Sequence, residues 1–336
     1  MGAARWFRLS IGLVLLVGAL WVLFSRLDAI WNGHPAYPTT LLVTAGVGLT
    51  LIGFAMYPWQ PDPEPNGPPW EAEEAAAAAR TAPRIRHGWR TAGRVVVAVL
   101  VVVLIGALAW LRPYPAGTEA MAALQSDELV TVTDATTTIE LRPVTPASPT
   151  AGLVFSPGAL VDARAYTDLL RSVAAAGYLV VILKVPFGVA ITQLGQSAGP
   201  IADHPEISRW AVGGHSLGGV AASSFAADNP DTVSGLLLWA SYPNGDLSAL
   251  TSLQVESIYG SNDPLATPAD IEKSKANLPP DATFTEIDGG IHAYFADYGE
   301  QSGDGQAGVD RATASAQIVS ATTTFLARVA AGGSAG

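Results

Sequence analysis

Three apolar runs in the first third of the chain, 9–25, 41–57 and 95–111, restrict its fold more than any other feature. Each approaches the roughly 17–25 residues that an α-helix needs to cross hydrocarbon. None carries a charge. In lipid a helix satisfies its own backbone donors and acceptors, which an isolated extended run does not. Arg5 and Arg8 precede the first run as in a secretion signal, yet no small-x-small cleavage site closes it and two further runs follow. Trp6, Trp21, Trp31, Tyr57, Trp59 and Trp110 gather near the run ends, where amphipathic rings favour the lipid interface. Residues 1–116 therefore read as a membrane region with three transmembrane helices, the lipid bilayer being their partner.

Charge divides the chain at the same place. Residues 1–116 carry nine Arg against six acids, a net +3, which leaves −14 for residues 117–336 of a chain whose total is −11. So acidic a second part argues against a nucleic-acid partner, because phosphate binding relies on clustered Lys and Arg. It also disfavours docking flat on anionic lipid. The chain has no Cys, which excludes disulfides, thiol catalysis and Cys-ligated zinc. Between the second and third runs, the loop 58–94 passes from a Pro/Gly stretch through EAEEAAAAAR to Arg84, Arg86, Arg90 and Arg94, with Arg80 before them. Its first part should be extended and its Glu-to-Arg gradient suits a short helix. A basic loop beside a span belongs in the cytoplasm. That places the amino terminus inside and everything after residue 111 outside, so the expected location is the cell membrane with an extracytoplasmic second domain.

From residue 117 the pattern becomes strand, turn, helix, repeatedly. Short alternating runs at 129–132 and 137–141 predict two antiparallel strands. Apolar runs at 152–155, 179–185, 210–213, 235–240 and 253–259 predict strands buried on both faces of a parallel sheet, and 283–287 a last one. Helical patterns cover 163–175, 218–227, 268–277 and 312–329. This alternation implies an α/β fold of three layers over residues 117–331. The Gly-rich residues 332–336 read as a disordered tail.

Gly214-His215-Ser216-Leu217-Gly218 stands directly after the strand 210–213 and before a helix. A serine at such a corner is held with its hydroxyl exposed, and flanking glycines remove the Cβ atoms that would collide there. The helix amino terminus behind it favours developing negative charge. Serine is a poor nucleophile unless a base takes its proton and a carboxylate steadies that base. Asp263, in YGSNDPLATP after a strand, lies where parallel sheets gather functional groups, although Asp-Pro also marks turns. His292, in EIDGGIHAYF, follows the last strand, whereas His34 and His87 lie among the apolar runs and His204 precedes the serine. His215 is expected to pack rather than react. Leu217 supplies one backbone donor for an oxyanion, and the loop FSPGA supplies another, Ala159 first and Gly158 next. Asp297, Glu300, Asp304 and Asp310 lack an EF-hand spacing and read as a solvated loop with no metal. Arg164, by the oxyanion loop, could bind a substrate carboxylate, but pairing with an acid on its own helix is the favoured reading. Neither metal nor cofactor is called for.

Residues 117–331 resemble the α/β-hydrolase superfamily, most closely its dienelactone-hydrolase-like bacterial branch. The motifs SPGALVDARAY, GHSLGG, YGSNDPLAT and GGIHAYFADYG carry the likeness. It implies an α/β-hydrolase three-layer sandwich with Ser216 as nucleophile, Asp263 as acid and His292 as base, in the chain order usual for that fold. True dienelactone hydrolases use cysteine here, so an esterase acting on a small-molecule ester is the closer expectation. Acyl transfer, thioester cleavage and amide cleavage use the same triad, and a non-catalytic binding protein could share the fold. Only about a dozen residues, 241–252, separate the strands that flank the usual lid insertion, too few for a folded cap. Short acyl esters should then be turned over at least as well as long ones, with no activation at a lipid interface.

Overall fold

The computed structural model describes residues 2–57, 73 and 85–332. Most of the loop 58–94 therefore lies outside the described residues, as do the side chains of Arg80, Arg84, Arg86 and Arg90 and residues 333–336 of the tail.

Met1–Ser25 and Thr39–Trp110 form one compact unit. Its long helices are α1 (Ala3–Ser25), α3 (Ala36–Met56) and α4 (Ile85–Trp110), each long and apolar enough to cross a membrane. Helices α1 and α3 approach through Gly12 and Gly48, where a Cβ on either would strike the other's carbonyl oxygen. Small residues permit this closeness where lipid offers no hydrophobic drive for association.

The second compact unit comprises Arg26–Pro38 and Leu111–Gly336. The stretch joining the first two apolar helices, assigned from the sequence to the membrane region, thus packs with the α/β layers. It contains the short helix α2 (Leu27–Trp31). Eight strands follow: β1 (Val130–Asp134), β2 (Thr138–Pro143), β3 (Ala151–Ser156), β4 (Leu179–Leu183), β5 (Arg209–His215), β6 (Val233–Trp239), β7 (Gln254–Gly260) and β8 (Thr283–Ile287). They make one sheet in the order β1-β2-β4-β3-β5-β6-β7-β8. β2 runs antiparallel to both β1 and β4, and every other pairing is parallel. This is the α/β-hydrolase fold expected from the sequence, with each predicted strand present.

Alternation within the strands builds a core on each face. Leu153, Phe155, Ile182, Leu237 and Trp239 face α6 (Thr167–Ala175) and α10 (Arg311–Ala331). Val154, Val181, Val212, Leu236 and Leu238 face α8 (Leu217–Asp228). The helix expected at 163–175 begins as a 3-10 turn, Ala163–Tyr166, because Asp162 caps it by accepting from the Arg164 N–H. Between β4 and β5 the chain forms the 3-10 segment Ala190–Ser197 and α7 (Ala198–Asp203). Two shorter helices, α5 (Thr118–Ala122) and α9 (Pro268–Ser274), complete the layers. From β3 the chain moves first to β4 on one side and then to β5 on the other. The strand order therefore reverses at β3 and β5, and crevices at such a reversal are where open α/β sheets bind ligands.

Candidate active site

Ser216 sits at the turn between β5 and α8 with φ 51° and ψ −123°, a backbone conformation that a residue with a side chain rarely adopts. Its surroundings hold it there. The Ser216 N–H donates to the Trp239 carbonyl (2.9 Å), and the Ser241 hydroxyl donates to the Ser216 carbonyl (2.7 Å). A Cβ at Gly214 would strike the Gly218 carbonyl, and one at Gly218 would strike the carbonyls of Ser156 and Pro157. Glycine at both positions lets the turn close and brings the loop after β3 against the start of α8. The Ser216 hydroxyl has no hydrogen-bond partner among the described residues.

Asp263 and His292 form a buried pair, with His292 Nδ1 2.7 Å from Asp263 Oδ2. Asp263 Oδ1 accepts from the N–H groups of Leu265 (2.7 Å) and Ala266 (2.9 Å). The turn-capping role and the histidine-holding role thus belong to one carboxylate, an oxygen for each. The loops bearing the pair are stitched together: Asn262 N–H donates to the Gly290 carbonyl (2.9 Å), and Asn262 Nδ2 to that of Gln306 (2.9 Å).

His215 is buried as expected, its ring centroid 4.5 Å from that of His292. Burial, and secondarily the charge of His292, holds it well below the ordinary histidine range. Tyr166 Oη lies 2.9 Å from His215 Nδ1 and accepts from the Gly158 N–H (2.8 Å). That contact corrects one expectation: the Gly158 N–H is consumed within the fold and is not available to an oxyanion. No hydrogen bond engages the N–H of Ala159 or Leu217 among the described residues.

Three of the four acids read as a solvated loop have structural roles, a second correction. Asp304 accepts from the N–H groups of His292 (3.0 Å) and Ala293 (2.7 Å), capping the 3-10 turn that carries the histidine. Arg311 binds the far end of that turn through the carbonyls of Ala293 (3.1 Å) and Ala296 (2.9 Å). Asp297 accepts from the Ala120 N–H, and Asp310 caps α10 through the Thr313 N–H. Only Glu300 is simply exposed. Sequence reasoning missed Asp304, Arg311 and Tyr166; the sole clue was that Asp304 and Arg311 follow His292 within a Gly-rich stretch.

Arg164 pairs as expected with an acid at its own helix, and adds a partner that the sequence did not announce. Its guanidinium forks onto the buried Asp162 (2.6 Å) and reaches Asp28 (2.7 Å), which comes from the stretch between the first two apolar helices. That stretch borders a cavity of about 40 Å³, shared with Leu111, Pro157 and Val185, which is too small for an ester substrate.

The non-glycine residues with left-handed backbone, Leu160, Phe187, Ser216 and Ala240, follow β3, β4, β5 and β6, on the side where those parallel strands end. Strain of this kind concentrates at working sites. The class that the chain shows is one of fold, an α/β-hydrolase fold that carries a strained serine turn and a buried Asp–His pair. Residues 152–316 match the model of the alpha/beta hydrolase family, a span that includes Ser216, Asp263 and His292. Comparison with curated proteins gives no match. The family match does not resolve the dienelactone-hydrolase-like branch.

Proposed function

We propose that the protein is a membrane-anchored serine hydrolase that cleaves carboxylic esters through Ser216, His292 and Asp263. The observation that carries this reading is the buried His292–Asp263 hydrogen bond at the strand ends where Ser216 occupies its strained turn. Asp263 accepts from Nδ1–H of His292, which leaves Nε2 as the base. In the reaction Ser216 Oγ bonds to the acyl carbon as His292 Nε2 takes its proton. The carbonyl oxygen gains the negative charge and binds the N–H groups of Leu217 at the start of α8 and of Ala159 in the loop after β3. Collapse expels the alcohol, which leaves with the proton from His292. Water, deprotonated by the same nitrogen, then releases the acid and restores Ser216. Such serine–histidine engagement is often loose without substrate and tightens only in the complex, in keeping with the unpaired Ser216 hydroxyl.

The three apolar helices support the anchoring, and the arginine distribution favours a catalytic domain outside the cytoplasm. Ser216→Ala removes one hydroxyl and should abolish both ester hydrolysis and labelling by a fluorophosphonate while leaving the thermal transition in place. Full hydrolysis by that variant would refute the assignment.

A further inference from the structure

Ala159, whose N–H the proposed reaction gives to the oxyanion, is exposed in the loop after β3, between the buried Gly158 and the left-handed Leu160 (φ 60°). Beside it runs the loop after β4, where Phe187 is left-handed as well (φ 54°). The two loops are joined, because the Leu160 N–H donates to the Gly188 carbonyl (2.7 Å). Bulky residues rarely take this backbone form, and it lasts only where the surroundings impose it. The position of the Ala159 donor is thus set by whatever presses on these loops.

Part of that support comes from within the α/β layers. Tyr166 Oη receives the Gly158 N–H (2.8 Å), and Tyr114 brackets Leu160: its N–H donates to the Leu160 carbonyl (2.6 Å) and its carbonyl accepts from the Asp162 N–H (3.0 Å). The rest comes from residues 26–38, which belong to the same compact unit as these loops. The ring of Tyr37 lies against that of Phe187, their centroids 6.0 Å apart. Ile30 and Tyr37 are buried, and with Pro157, Val161 and Phe187 they border a cavity of only about 40 Å³. This stretch therefore lies against the chain on both sides of Ala159 and leaves little room for either loop to relax.

Asp28 fastens the stretch in place. One of its carboxylate oxygens accepts from Asn32 Nδ2 (2.9 Å), across the turn that ends α2, and the other accepts from Arg164 (2.7 Å). Arg164 is forked onto the buried Asp162, which closes the loop after β3 and caps the turn that follows. The Asp28 side chain is itself 70% exposed, so replacing it empties no core. Arg164 keeps Asp162 in its absence, and no buried charge is left uncompensated.

We infer that Asp28 and Tyr37 are positioning residues for the oxyanion donor, holding the loops after β3 and β4 in the strained form that fixes the Ala159 N–H. The kinetic part of this statement rests on the function proposed above; the hold on the loops does not. A stretch between two apolar helices thereby helps to set the rate of chemistry in the α/β layers.

The full-length protein tests this with Asp28→Ala, Asp28→Glu and Tyr37→Leu. On a water-soluble butyrate ester, Asp28→Ala and Tyr37→Leu should each lower kcat about tenfold with KM little changed, because a displaced donor is missed only in the transition state. Asp28→Glu, which keeps the carboxylate, should recover most of that loss, and the Tm of Asp28→Ala should match that of the unaltered protein. Amide hydrogen exchange should quicken about fivefold at Leu160, Val161 and Asp162 in Asp28→Ala and Tyr37→Leu, and stay unchanged along β5 and at Leu265 and Ala266. An unchanged kcat in both variants overturns the positioning role. So does a loss accompanied by a lower Tm in Asp28→Ala and faster exchange throughout the α/β layers, which would make the effect one of general stability. If the unaltered protein hydrolyses no ester and labels with a fluorophosphonate no better than Ser216→Ala, the esterase reading fails. Exchange at Leu160, Val161 and Asp162 then decides the hold alone: faster exchange in the variants upholds it and unchanged exchange overturns it.

Discussion

His215 and His292 lie side by side with different duties. Tyr166 accepts from Gly158, so its own proton points to His215 Nδ1 and the neutral imidazole keeps its hydrogen on Nε2. A neutral His215 spares His292 a second cation when the latter takes the serine proton. The same depression makes a stability prediction. Below about pH 6.5 an unfolded chain protonates this residue while the native state resists. The unfolded state then binds more protons, so the contribution is complete above that pH and is lost as pH falls toward the native value, at up to about 1.4 kcal/mol per pH unit. Replacing His215 with Gln should flatten the fall in Tm between pH 6.5 and 5; an unchanged slope would mean that His215 titrates normally. Asp304 invites a separate test, since it fixes the backbone on which His292 is mounted. Asp304→Ala should lower kcat about tenfold, ~1.4 kcal/mol of barrier, with KM little changed. A change confined to KM would deny Asp304 this positioning role. Ser216 was legible because its motif is local, a strand, five residues and a helix. Tyr166 and Asp304 were not, because they act on His215 and the His292 backbone from 49 and 12 residues away.

Elements were easier to read than their joints. Runs such as LVVIL in β4 are buried throughout, and bounding turns made them strands on sight. The 3-10 turns and α2 were missed because three to eight residues give no helical period to detect. The glycines of the elbow were read correctly as spacers, but their partners were not visible until the loop after β3 was placed. At Gly218 those partners are backbone carbonyls, which no rotamer change can move. Gly218→Ala should therefore destabilise the domain by about 1–3 kcal/mol and slow phosphonate labelling more than Tm loss alone accounts for. Wild-type labelling at wild-type Tm would show that the loop after β3 yields freely. Tyr166→Phe, which frees the Gly158 N–H, should impair labelling without a comparable loss of the sheet's stability.

For the whole molecule, the arginine count gives a direction and the fold gives a consistency condition. Three crossings would put residues 26–38 and everything after residue 111 on one face of a bilayer, and those are the segments that pack into one unit. Protease added to sealed, right-side-out vesicles should digest that unit; digestion only after lysis would reverse the orientation. Charge and apolar length were enough to suggest the crossings, but nothing in the sequence foretold that residues 26–38 would join the α/β layers. Their anchor, Asp28 on Arg164, links residues 136 apart, and no local pattern announces such a pair. The same separation sets a timetable for biosynthesis. A ribosome adding about 5–20 residues per second needs roughly 7–27 s to make the 136 residues between the partners. Throughout that interval the first loop waits without its partner, and the wait ends only after the third helix and β3 have been made. The loop is made before the third helix yet finds its partner only after that helix and β3 have followed it.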